Sequence, residues 1–169
     1  IQAMIKDRVN AKEKYIGLVL AREKDEKSTQ QEPGSFKGAD LYETGVVAEI
    51  LQTAQIAPDT PMQVLISCHE RFRITSFARE TPYLVARVDY LLETEMAEND
   101  ELRAYSVSVV KSLKELMQLN PLHQEELKIF MSRSRLNEPG RLADFGAMLT
   151  SASGAELQEI LDTLSIRAR

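Results

Sequence analysis

The sequence predicts an α+β fold: a small curled antiparallel β-sheet or pseudo-barrel lobe, followed by an α-helical lobe. Three observations predict it. Apolar and polar residues alternate through much of the first half, ending near Tyr90. From about Glu98 the apolar period becomes that of a helix. Turn-forming residues fall between the alternating segments, as at Pro58-Asp59 and Thr81-Pro82. The two lobes are expected at 1–95 and 96–169.

Each element follows from its own stretch of chain. Ile1, Met4, Ile5 and Val9 share one helical face, so the chain opens in an amphipathic helix without an N-cap. Tyr15 to Ala21 (YIGLVLA) is nearly continuous apolar sequence, the pattern of a strand covered on both faces. Arg22 to Asp40 mixes a charge run with Pro33-Gly34 and reads as an exposed loop.

Four further strands are expected. Val46, Ala48 and Ile50 face one way. Met62, Val64, Ile66 and Cys68 alternate with Gln63, Ser67 and His69; Phe72 and Ile74 with Arg71, Arg73 and Thr75; Leu84, Ala86, Val88 and Tyr90 with Arg87 and Asp89. Several short twisted strands leave edges that curling must cover.

In the second half Leu102, Tyr105, Val109, Leu113 and Leu116 form a helical stripe. Asn120-Pro121 starts a second helix carrying Leu127, Phe130 and Met131. Pro139 lies early in a third, with Leu142, Phe145 and Leu149 inward. Ser153 and Glu156 have capping-box spacing, with Leu157, Ile160, Leu161 and Leu164 behind them.

Composition narrows the function. The chain has 169 residues, 43% hydrophobic and 28% charged, with a formal net charge of -5. That balance argues against a nucleic-acid groove, which needs a basic face. One cysteine, Cys68, cannot form an internal disulfide, which suggests a reducing compartment. No apolar stretch approaches the roughly 20 residues of a membrane-spanning helix. The first residues carry Lys6, Asp7 and Arg8 inside the apolar pattern, unlike a secretory leader.

The seven glycines are scattered and no Gly-Lys-Ser/Thr triplet occurs, so no Walker-type site is expected. Cys68, His69 and Glu70 are adjacent on a strand, and neighbouring side chains point to opposite faces, so they are not expected to share a metal. His69 reads as an exposed strand residue and His123 as a surface residue of a helix. Cys68 belongs to the inward set and is expected to be inert. Glu93, Glu95, Glu98, Asp100 and Glu101 form a solvated run at the junction of the lobes. Arg71, Arg73 and Arg87 could line a basic stripe, although pairing with nearby acids is the favoured reading on a negative chain. Met62 and Phe72 could sit in an exposed apolar stripe, but their periodicity favours core.

Several segments carry a family resemblance. Gly45-Val46-Val47-Ala48-Glu49-Ile50-Leu51-Gln52, preceded by Glu32-Pro33-Gly34, is similar to a strand of the amino-terminal domain of the ATP-dependent Lon protease. Val64-Leu65-Ile66 leading to Arg71-Phe72-Arg73-Ile74 resembles the strand pair that follows there. Glu138-Pro139-Gly140-Arg141-Leu142-Ala143-Asp144-Phe145 and Glu156-Leu157-Gln158-Glu159-Ile160-Leu161-Asp162 resemble helices of its helical lobe. The resemblance covers essentially the whole chain, with Gly45, Arg71, Pro139, Arg141, Leu142 and Asp144 as its structural fingerprint.

Two departures stand out. The first strand usual in the family lies before Ile1, so an unpaired sheet edge is expected, and Cys68 stands where a glycine is common. The resemblance implies non-catalytic recognition of unfolded or damaged polypeptides for an ATP-dependent serine endopeptidase, and support of its hexamer. No residue here inherits a catalytic, cofactor or metal role. ATP, Mg and the Ser-Lys dyad would belong to absent downstream domains. Bacterial cytoplasm is the implied location, with an organelle matrix as the alternative; no membrane or nucleic-acid partner is expected. A free-standing peptide- or ligand-binding module and an RNA-binding barrel using Arg71, Arg73 and Arg87 are the rival readings.

Overall fold

The computed structural model describes residues 2–10, 13–22, 37–55, 60–93, 100–119 and 138–169. They divide into two units, Ile1–Leu91 and Leu92–Arg169. The loop segment Glu32-Pro33-Gly34, Pro58-Asp59, Glu95, Glu98, and the helix expected from Asn120 with His123, Leu127, Phe130 and Met131 lie outside the described residues.

In the first unit helix α1 (Gln2–Asn10) precedes strand β1 (Tyr15–Ala21). A single 3-10 turn at Gly38–Asp40 leads into β2 (Leu41–Ala54), β3 (Gln63–Arg79) and β4 (Val85–Leu91). The sheet is antiparallel and open, in the order β1-β2-β3-β4. The α+β class is therefore as expected, but four strands stand where five were expected. The segments around Ile66 and Phe72 are one strand of 17 residues. No Gly, Pro, Asn or Asp lies between them, and an extra residue in a strand is absorbed by a bulge without ending the pairing.

That bulge decides which side chains share a face. Val46 pairs with Arg71, but Ala48 pairs with Cys68, so β3 spends one more residue than β2 between these pairs. Side chains of paired residues point to the same face of a sheet. Cys68 thus shares a face with Ala48, whereas Phe72 pairs with Gly45 on the opposite one. The even-numbered apolar set of the sequence is split in two. Phe72 is buried, Met62 half-buried and Cys68 exposed, so Cys68 is not the inward residue expected. Further register shifts occur between Ile50 and Gln52, Ile74 and Ser76, and Phe77 and Arg79. Each adds local twist and bend.

Gly45 lies between β1 and β3 at the tightest point of this sheet. A Cβ there would stand 2.5 Å from the Leu18 carbonyl oxygen, 2.7 Å from the Phe72 ring and 2.8 Å from Val19 Cγ2. Phe72 also reaches Gly17, where a Cβ would stand 3.0 Å from the ring. The aromatic ring occupies the volume that two side chains would otherwise fill. Ala48, Ile50 and Ile5 are the other buried apolar residues of this unit. Val9, expected on the inner face of α1, is exposed. Tyr83 donates its hydroxyl to Asp7 Oδ2 at 2.5 Å, tying the β3–β4 connection to α1.

In the second unit α2 spans Asp100–Leu119, α3 Pro139–Met148 and α4 Gly154–Asp162. Val110 and Leu113 of α2 pack with Leu142 and Phe145 of α3, and Leu149 covers them. The buried stripe of α2 is Leu102, Ser106, Val110 and Leu113. It differs from the expected stripe, since Tyr105 and Val109 are exposed. Ser106 enters without an orphaned hydroxyl because Oγ donates to the Leu102 carbonyl at 2.8 Å.

Pro139 sits in the first turn of α3, where its missing N–H costs nothing. The capping box of α4 is present: Ser153 N–H and Oγ donate to Glu156 Oε2 at 2.7 and 2.8 Å, and Glu156 N–H donates to Ser153 Oγ at 3.3 Å. Behind it the buried residue is Gln158, which donates to Asp162 Oδ1 at 3.1 Å, while Leu157 is exposed against expectation.

Gly45→Ala is expected to lower stability by about 1–3 kcal/mol, because one obstructing atom is backbone and cannot step aside; a urea midpoint unchanged from the parent would refute this. The backbone and then the hydroxyl of Ser153 hold the Glu156 carboxyl below its ordinary range. A carboxyl depressed on folding stabilises above its unfolded pKa, and that contribution disappears as pH falls through the folded value. Melting temperatures scanned from about pH 6 to about pH 3 should therefore fall less steeply in Glu156→Gln than in the parent.

Candidate functional site

The three arginines of the expected basic stripe do not form one. Arg71 is buried, pairing in register with Val46 and Leu91. Arg73 lies directly opposite Asp89. Arg87 follows a register shift opposite Ser76, and its carbonyl accepts from Thr75 Oγ1 at 3.1 Å.

The face carrying Tyr15 is different in character. Tyr15 pairs with Glu49, and Glu49 with Ser67. Two residues along β3 from Ser67 is Leu65, on the same face. Gln52 is opposite Leu65, and Leu51 is the extra residue of that bulge. Tyr15, Leu51 and Leu65 are 60%, 56% and 58% exposed. Their grouping was hidden in the sequence because β1 read as covered on both faces. It is the first strand of the sheet order, and its burial alternates irregularly between exposed and half-buried positions.

His69 joins this face. Its Nε2 lies 3.5 Å from Glu49 Oε2, and its ring meets Tyr15 edge-on with centroids 6.3 Å apart. His69 and Glu70 are the two β3 residues between the Arg71 and Cys68 pairs, and both are exposed. Among the described residues no group of three His, Cys, Asp or Glu side chains could hold a metal ion. The surface is thus apolar with an acidic centre.

The second unit holds an ionic cluster. The side chain of Arg169 is 0% exposed; Nη2 lies 2.5 Å from Glu93 Oε1 and Nη1 2.9 Å from Asp144 Oδ1. Gly140 makes room for it, because a Cβ there would collide with the Glu93 carboxylate. The carboxylate consequently sits against the first turn of α3, where the helix dipole favours negative charge. Arg167 pairs with Glu101 at 3.1 Å. Glu93 and Glu101, expected as merely solvated acids, each have a cationic partner.

The family model of the ATP-dependent protease La (LON) substrate-binding domain matches residues 1–169. The chain belongs to that family. Lon protease 1 of Syntrophotalea carbinolica is 42% identical over 167 residues, 99% of this chain and 19% of that protein. The Lon protease of Chlamydia pneumoniae is 41% identical over 166 residues, 98% of this chain and 19% of that protein. The N-terminal domain of the Mycobacterium avium complex Lon protease is similar in fold, with a TM-score of 0.58 and 20% identity, covering 90% of this chain and 85% of that one. The chain spans about a fifth of the length of the Lon proteases it matches, 19% in the first case.

The residues that carried the resemblance fall in different settings. Gly45 lies under Phe72, and Arg71 is buried in the sheet. Pro139 opens α3, Leu142 is in its core, and Asp144 holds Arg169. Arg141 Nε lies 3.0 Å from Glu138 Oε2, a close ion pair without hydrogen-bond alignment. No helix among the described residues is long and apolar enough to cross a membrane.

Losing Arg169 should matter less than losing one half of a fully buried pair, since Glu93 and Asp144 are 45% and 46% exposed. Arg169→Met is expected to destabilise the helical unit by about 1–2 kcal/mol, below the 3–5 of a buried pair. Arg169→Lys should restore only part of this, because one ammonium cannot reproduce the planar fork. Denaturant-dependent hydrogen exchange over 139–148 measures both, and full rescue by lysine would contradict the bidentate reading.

Proposed function

We propose that this domain holds unfolded or damaged polypeptides for an ATP-dependent serine protease of which it forms part, and supports assembly of that enzyme's hexamer in the bacterial cytoplasm. The supporting observation is the exposed apolar face of Tyr15, Leu51 and Leu65. Solvent-exposed large apolar side chains gathered on one face are suited to capturing apolar segments that folded proteins conceal. Polypeptide cleavage is assigned to other domains of the Lon protein, whose length this chain covers only in part.

Weak contact at each copy is sufficient for this role. Several linked copies raise the effective concentration of a captured chain without strong sequence selectivity in any one. Loss of two Leu side chains of this size would remove about 2–3 kcal/mol of contact if each is half covered on binding.

In the full-length protein, Leu51→Asp together with Leu65→Asp should weaken binding of a denatured protein at least tenfold and slow its degradation. Cleavage of a short unstructured peptide should change little. Equal loss for both substrates, or no loss for the denatured protein, would defeat the proposal.

A further inference from the structure

The acidic centre of the apolar face narrows the kind of segment it takes, if the face captures polypeptide as proposed above. Glu49 lies between Tyr15 and Ser67 in register, and two residues along β3 from Ser67 is Leu65. Glu70 is exposed in the bulge beside His69. Two carboxylates therefore accompany one imidazole, leaving the centre negative whether or not His69 is protonated. Around them Gln52, Gln63 and Ser67 are neutral; the nearest base along β1 is Lys14, whose carbonyl accepts from Ile50 N–H at 2.7 Å and which by alternation from Tyr15 belongs to the other face. The basic side chains of this sheet are elsewhere: Arg71 is buried, and Arg73 is opposite Asp89. The chain as a whole carries a net charge of -5, which reinforces the local field.

We infer that the Tyr15–Leu51–Leu65 face selects extended apolar segments that carry a lysine or arginine among their apolar residues. The apolar side chains of the segment cover Leu51 and Leu65. Its cation meets Glu49 and Glu70, with the Tyr15 ring available for a cation–π contact. Segments carrying an acidic residue at the same place meet like charge and are disfavoured.

The test uses the full-length protein and three photoreactive peptides of equal length and identical apolar residues, with a central Lys, Gln or Glu. Binding should weaken in that order by roughly threefold per step, the scale of a partly exposed ion pair. Crosslinks should fall on β1, β2 and β3. Glu49→Gln combined with Glu70→Gln should bring the three affinities together; Glu70 is exposed and Glu49 half-buried, and the near-isosteric amide keeps the shape of each side chain, so the melting temperature of the double variant is measured alongside. Equal affinities in the parent, or a lysine preference that survives the double substitution, would overturn this inference alone, provided Leu65→Asp still abolishes binding. No binding of any peptide, or crosslinks between copies through Leu65 in place of peptide, would overturn the capture reading as well.

Discussion

The packing of the sheet unit depends on one close approach, that of the Phe72 ring to Gly45. The ring can descend between β1 and β3 only because neither Gly45 nor Gly17 carries a side chain. Phe72 stands four residues after Cys68, so strict alternation along β3 would put it on the face of Cys68 and Ala48; the bulge between Cys68 and Arg71 shifts the phase and brings it opposite Gly45 instead. The bulge therefore has two effects at once. It turns an aromatic side chain into the core on one side and lifts His69 and Glu70 into solvent. The buried core and the exposed acidic centre are two results of the same one-residue insertion.

Polar burial is handled differently in the two units. In the sheet, Arg71 and Thr44 are buried among strands, where long side chains can cover apolar surface with their stems. In the helical unit, Arg169 brings together the carboxylates of Glu93 and Asp144, which lie 51 residues apart in sequence order (144 − 93). Beside it, among the described residues, Val110 and Leu113 of α2 pack with Leu142 and Phe145 of α3. A charge-assisted fork adds directional restraint to that non-directional contact.

Large apolar side chains are exposed in both units, Leu92, Val107 and Met148 in the helical one and Tyr15, Leu51, Leu65 and Tyr90 in the sheet; what sets Tyr15, Leu51 and Leu65 apart is that the strand register gathers them on one face. Apolar contact is undemanding about sequence and charge is more discriminating; this face presents both, with Glu49 between Tyr15 and Ser67 in register.

Element types were legible from local periodicity. The helix starts at Pro139 and Ser153, the strand at Val46–Ile50 and the α+β class all follow from spacing and capping chemistry along a few residues. The family was equally legible, since the resemblance lies in short contiguous segments. Which face each side chain takes was not, and neither was the patch. Met62, Val64, Ile66, Cys68, Phe72 and Ile74 all fall on even-numbered positions, yet cross-strand pairing divides Ile66 and Cys68 from Phe72 and Ile74 between two sides. Tyr105 and Val109 fit the helical period as well as Ser106 and Val110 do, and only the position of α3 chose between them. A chain's own periodicity specifies how its side chains alternate, but a bulge or a packing partner sets the phase, and both depend on residues far away in sequence.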